Sequence, residues 1–138
     1  MKKRLFVKML RQKRLVPPAI ISTIEKHARF IVIRLQGSID MSTVAALEVF
    51  GDKWQRQDDF EPKNILLDFQ KVTHADSAAV AILIQATVSL KKQHHELGVI
   101  NINEQLRFML ELFKVSNVIS LFHNESAAVK DLSKEGIL

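Results

Sequence analysis

Three carboxylates, a hydroxyl and three histidines are the groups in this chain that could do chemistry. Asp40, Asp68 and Asp76 each stand where an apolar stretch gives way to polar residues, and Ser77 follows Asp76 directly. Carboxylates gathered on one edge of a sheet could hold a magnesium ion. No phosphate-binding loop accompanies them, and we assign no metal site and no cofactor. His74 falls beside Asp76, and the adjacent His94 and His95 point in different directions on a helix, so they cannot chelate jointly. All three read as surface residues. Nucleophile-elbow, Walker, dinucleotide-glycine and zinc spacings are missing. The chain therefore reads as a non-enzyme, with an enzyme built on the acidic cluster as the contrary reading.

An acid and a hydroxyl at the start of a helix can do something else. The first backbone N–H groups of a helix have no internal partner, so the corner tolerates anions. In the plainest reading Asp76 or Ser77 is an N-cap, worth about 1 kcal/mol. In a second, the cap also lies on a partner surface. In a third, Ser77 takes a phosphate, which the helix dipole favours by about 0.3–2 kcal/mol and which Asp76 opposes by repulsion.

The elements that must position this corner follow from apolar spacing. Residues 19–26 and 30–35 are rich in β-branched and aromatic side chains, with a turn between them, and predict a hairpin that Gly37 closes. Asp40 or Ser42 caps a helix to about Trp54, with Val44, Leu47 and Phe50 inward. Trp54 is an interface anchor or a core-edge residue. Residues 65–69 form a central strand, nearly continuous in apolar residues as a parallel strand covered on both faces should be. Residues 70–76 form a loop, and the C-terminal end of the strand, where Asp68 sits, opens to solvent. Residues 77–94 form the strongest helix, with Val80, Leu83, Ile84, Thr87 and Leu90 at three- and four-residue spacing. After Gly98 come a strand at 99–102 and a helix at 104–114 with Leu106, Met109, Leu110 and Phe113 inward. A strand at 118–122 and a helix from Asn124 or Ser126 to about Leu132 complete the chain. Strands alternating with helices predict an α/β domain: a mixed, mostly parallel sheet of about five strands, four helices and an N-terminal hairpin.

Composition bounds the function. The chain has 138 residues, of which 47% are hydrophobic, enough for one packed domain. With no cysteine it forms no disulfide, thiolate nucleophile or cysteine metal site, which suits a reducing cytoplasm. The net charge of +5 is localised: seven bases and no acid fall in residues 1–14, and the remainder is net acidic. A nucleic-acid footprint across the domain is excluded on that ground. We divide the chain into a basic leader, residues 1–18, and a domain, residues 19–135. Leu5, Phe6, Met9 and Leu10 share one helical face in the leader, a pattern that suits an anionic membrane surface or an acidic partner through residues 2–14. The alternative is a solvated terminus. Pro17 and Pro18 separate leader from domain.

In order and spacing, four segments resemble the STAS domain family over residues 19–132. They are Leu35-Gln36-Gly37-Ser38-Ile39-Asp40, the 65–69 strand followed by Val72, the turn Asp76-Ser77-Ala78-Ala79-Val80, and residues 99–103 leading into the helix around Leu106. That family includes bacterial anti-sigma-factor antagonists and the cytoplasmic domains of sulfate-type anion transporters. The resemblance implies a non-enzymatic protein-interaction module. Its partner would be a kinase-like anti-sigma factor, or the ATPase or permease of a transport system. The antagonists' phospho-acceptor position falls on Ala78, which cannot be phosphorylated, and Ala79 stands where a glycine is usual. Ser77 is the hydroxyl that remains. A hydroxyl directly after the aspartate, with none at the next place, is similar to the small STAS subunit of phospholipid-transport ABC complexes. The expected recognition surface is His74, Asp76, Ser77, Ala78 and Ala79 together with Asp40 and Ser42.

Overall fold

The computed structural model describes residues 15–134. Within them β1 (Ile21–Lys26), β2 (Phe30–Ile39), α1 (Met41–Gln55), β3 (Asn64–Ala75), α2 (Ser77–Lys92), β4 (Leu97–Ile100), α3 (Glu104–Leu112), β5 (Ser120–Leu121) and α4 (Glu125–Leu132) follow one another. The five strands lie in the sheet in their sequence order. β1 runs antiparallel to β2, and β2, β3, β4 and β5 are mutually parallel. The leader's amphipathic pattern lies outside the described residues.

Two layers of helix sandwich this sheet. The larger core joins Ile31, Ile33 and Leu35 of β2 and Phe69 of β3 to Val44 and Phe50 of α1, Leu83 of α2, and Leu106 and Leu110 of α3. On the opposite face Phe30, Val32, Leu66 and Ile100 pack beneath Ala128 and Leu132 of α4. Strand alternation explains the division, since Ile65, Leu67 and Phe69 face one layer while Leu66 and Asp68 face the other. Gly98 lies inside β4 rather than ahead of it, and the reason is steric. A Cβ there would stand 2.9 Å from Phe122 Cε2 and 3.3 Å from Leu132 Cδ1.

Several boundaries differ from the sequence reading. β2 does not stop at Gly37. It passes through that residue, which takes φ +80, and continues to Ile39. Residues 70–75 are not a loop but the second half of β3, paired with β2 as far as Ile39 and Ala75. The polar run misleads because β3 carries two irregularities. Between Arg34 and Gln36 of β2 the partner advances from Asp68 to Lys71, and between Gly37 and Ser38 it advances from Val72 to His74. Each inserts one extra β3 residue. Burial in this half of the strand accordingly falls on Phe69, Val72 and Ala75, every third residue instead of every second. α2 ends at Lys92, leaving His94 at φ 63 and His95 beyond the helix. β5 is a two-residue strand. Phe113 is 52% exposed rather than inward, beside the exposed Phe108 and Leu112.

Candidate functional site

The β2–β3 pairing carries both strands to the same edge of the sheet, so α1 and α2 begin side by side. Asp76 N–H donates to Ile39 O at 3.1 Å and ties the two exits together. Asp40 takes extended backbone as the N-cap of α1 and accepts from Ser42 N–H at 3.0 Å, Thr43 N–H at 3.1 Å and Ser42 Oγ at 2.7 Å. Thr43 Oγ1 accepts from Asp40 N–H at 2.8 Å, closing a capping box. The hydrogen bond from the Ser42 hydroxyl, then that from Thr43 N–H, holds the Asp40 carboxyl below its ordinary pKa. Asp76 caps α2 more sparingly, with one hydrogen bond from Ala78 N–H at 2.8 Å.

The exposed face of this edge presents Ser38, Met41, Ser42, Thr73, His74 and Ser77. Asp40, Asp76 and Ala78 are half-buried. Ala79 is fully buried in the larger core, so it supports this corner from beneath instead of standing on its exposed face. Its methyl group packs under the helix start, where the 3.6-residue period turns it inward. Met41 was missed. It is 80% exposed at the first position of α1, a large apolar surface on an edge that also presents Ser38, Ser42, Thr73 and Ser77. Its only sequence signal was an apolar residue outside the helical stripe of Val44, Leu47 and Phe50.

Asp68 does not join Asp40 and Asp76. It is 6% exposed on the α4 face of the sheet, not at an open strand end. Arg34 Nη1 donates to its Oδ2 at 2.8 Å, and Asn101 Nδ2 donates to its Oδ1 at 2.9 Å. Gln70 N–H, freed where the β3 register shifts, donates to the same Oδ1 at 2.9 Å. Arg34 also pairs with Glu25 at 2.5 Å and with Glu125 at 2.6 Å, so one guanidinium joins β1, β2, β3 and α4. Burial pushes the Asp68 carboxyl up, but the hydrogen bonds from Asn101, Gln70 and Arg34 together outweigh it and hold it low. No cluster of three or more potential metal ligands occurs among the described residues. The histidines are likewise apart: His74 is exposed on β3, and His95 Nδ1 lies 3.3 Å from Asn64 Oδ1 at the far end of that strand. Trp54 is half-buried at the core edge, against Phe50 with ring centroids 5.6 Å apart.

Comparison with known proteins agrees with this architecture. A family model described as the STAS domain matches residues 22–128. No curated protein matches the chain significantly. Among solved structures, a Thermotoga maritima protein proposed to be an anti-sigma factor antagonist superposes with a TM-score of 0.71 at 12% identity, covering 81% of this chain and 94% of that one. An anti-sigma factor antagonist from Mycobacterium paratuberculosis gives 0.63 at 21% identity over 81% and 92%. The murine anion transporter Slc26a9 gives 0.61 at 15% identity, over 78% of this chain but 18% of that one. At these identities the structures establish a shared fold. With four helices on a mixed five-stranded sheet and the family match spanning most of its length, the chain belongs to the STAS domain family.

Proposed function

We propose that this protein is a non-enzymatic regulatory module, of the anti-sigma-factor-antagonist kind, that binds a partner protein through the edge where α1 and α2 begin. The observation that carries the reading is the exposed set Met41, Ser42, His74 and Ser77 around two adjacent helix N-termini. An exposed methionine ringed by polar groups is the composition of a recognition patch rather than of a solvated surface. Asp76 and Asp40 shape the two turns, and Ser77 offers its hydroxyl to the partner. SpoIIAA, whose phosphorylated form shares this fold with a TM-score of 0.59, motivates a switch at the same corner. Here Ala78 occupies the usual acceptor position, so a switch by phosphorylation would have to run through Ser77.

A second reading has its own support. Slc26a9 carries this fold within a membrane transporter, and Asp76-Ser77-Ala78 follows the pattern of transport-associated STAS subunits. No helix among the described residues is long and apolar enough to cross a membrane. In this reading the domain acts as an accessory subunit or a cytoplasmic domain of a permease or ATPase complex, with residues 2–14 touching the membrane or the complex. Affinity capture from the native cell decides between the two. The regulatory reading expects a kinase-like anti-sigma factor, reduced at least tenfold by Ser77→Asp or Met41→Asp. Recovery of an ABC ATPase or permease favours the second reading. Capture unaffected by either substitution removes this edge from the interface.

A further inference from the structure

The apolar residues of α3 are divided between two faces. Leu106 and Leu110 are buried in the larger core. Phe108 and Leu112, one helical turn apart, stand on the outer face and are 63% and 62% exposed. Phe113 and Val118, on the way to β5, are exposed as well. Large apolar side chains gathered on an outer surface, with polar groups around them, mark an interaction site. The charges around this one are all exposed: Glu104, Arg107 and Glu111 on α3 and Lys114 just beyond it. None of the four side chains makes a hydrogen bond or an ion pair among the described residues. Arg107 and Glu111 stand at the four-residue spacing where such pairs form, yet each leaves the other unpaired.

We propose that this face is the seat of a second copy of the chain, joined through antiparallel α3 helices. The signs of the four charges carry the inference, because they reverse about the middle of the helix. Met109 is the midpoint between Arg107 and Glu111, and also between Glu104 and Lys114. In an antiparallel pair with its two-fold axis at Met109, each residue meets the one equally far from Met109 in the other copy. Arg107 then meets Glu111 of the second copy, Glu104 meets Lys114, and each contact occurs twice. No like charges are opposed. Glu104, Arg107 and Glu111 lie along one flank of the Phe108–Leu112 stripe, and the axis sets that flank against itself. With a rise of about 1.5 Å per residue, Phe108 falls about 3 Å along the axis from both Leu112 and Phe108 of the second copy, so the apolar side chains interleave. A uniformly acidic or basic partner would be repelled by half of these charges, whereas the chain is its own complement. One helix from each copy covers a small area, so the pair forms weakly and reversibly.

Sedimentation of the full chain over rising concentration should show a monomer–dimer equilibrium. Amide resonances of residues 104–114 should shift with concentration, while those of α1, which packs on α2 and β2, stay still. Phe108→Asp with Leu112→Asp, two exposed positions where misfolding is not expected, should weaken the dimer at least about tenfold. Arg107→Glu and Glu111→Arg each set like charges face to face, and each alone should weaken it about threefold or more. Mixed together, these two variants regain both kinds of opposite-charge contact and should pair with each other more tightly than either pairs with itself. The double variant, with both substitutions in one chain, should recover the native dimer. The proposal is overturned if the chain stays monomeric at every concentration, or if Phe108→Asp with Leu112→Asp leaves the equilibrium unchanged, which would place the contact elsewhere. It is also overturned if the two charge variants show no preference for each other, which would refute the antiparallel pairing. A monomer that binds a different protein through Phe108 and Leu112 overturns it too, and assigns the face to that protein.

Discussion

Replacing Arg34 with methionine removes the cation that Glu25, Asp68 and Glu125 share. The loss is dominated by Asp68, whose side chain is only 9% exposed. Stripping one partner from a buried ion pair costs about 3–5 kcal/mol, because the other charge is left uncompensated. Two effects reduce that figure here. Asp68 keeps its hydrogen bonds from Asn101 and Gln70, and charge-assisted bonds of this kind contribute about 1.5–3 kcal/mol each. Glu25 and Glu125, at 41% and 47% exposure, rehydrate and add little. We expect Arg34→Met to lose about 2–3 kcal/mol by urea denaturation at neutral pH, or about 10 °C in Tm at this chain length.

Two further measurements separate a charge effect from lost packing. Asp68→Asn keeps an acceptor for Gln70 N–H while removing the charge, so the double variant should be more stable than the summed single losses by at least about 1 kcal/mol. The pH dependence has a definite sign. The Asp68 and Glu25 carboxyls are both held low in the folded protein, Asp68 by its hydrogen bonds against burial and Glu25 first by the bond to Arg34. A lowered carboxyl contributes stability above its unfolded pKa of about 4, and the contribution disappears as pH falls through the folded value. The gap between native protein and Arg34→Met should therefore narrow from pH 7 to pH 3. A gap that is constant or grows, or strict additivity in the double variant, refutes the electrostatic account.

Glu96 should behave in the opposite sense. Burial, and then its hydrogen bond with Asp131, raises its pKa. The folded state is therefore favoured at low pH and penalised as pH rises through that value, so Glu96→Gln should raise Tm at pH 8 and have little effect at pH 4. Gly98→Ala places a methyl group against Phe122 and Leu132 and should lose about 1–3 kcal/mol through overpacking, with amide exchange in α4 accelerated more than in α1. Asp76→Ala removes the single side-chain cap of α2 and should lose about 1 kcal/mol in urea, with Asp76→Asn retaining most of it.

Much of this fold was legible because its signals are local. Val80, Leu83 and Thr87 recur with the helical period and are buried, and the caps at Asp40, Asp76 and Asn124 sit where short polar side chains meet apolar runs. Non-local features were hidden. The second half of β3 reads as a loop because bulges spread its buried residues to every third place, so it shows neither the alternation nor the continuous apolar run by which a strand is read. Asp68 reads as an acid at an open strand end because Arg34 is 34 residues away in sequence and no local pattern pairs them. Ala79 reads as part of the exposed corner because alanine is neutral about burial, whereas the turn of the helix puts it in the core.

The Arg34 network and the proposed recognition edge meet at the same irregular step of β3. Asp68 stands one residue before the register shift, and its Oδ1 accepts the Gln70 N–H in that irregular step. A bulge left with an orphaned donor would cost about 1–3 kcal/mol and would be free to slip, carrying Val72, Ala75 and Asp76 with it. Arg34 holds the other oxygen of the same carboxylate from the paired residue on β2. The placing of Ser77 at the start of α2 should therefore depend on an ion pair on the opposite face of the sheet. Substitution at Arg34 should disturb partner binding at the α1/α2 edge beyond what its loss of stability explains. A conservative Arg34→Lys, which keeps the charge but loses the fork, should show that disturbance in amide shifts at residues 70–77 while the α3 resonances stay in place.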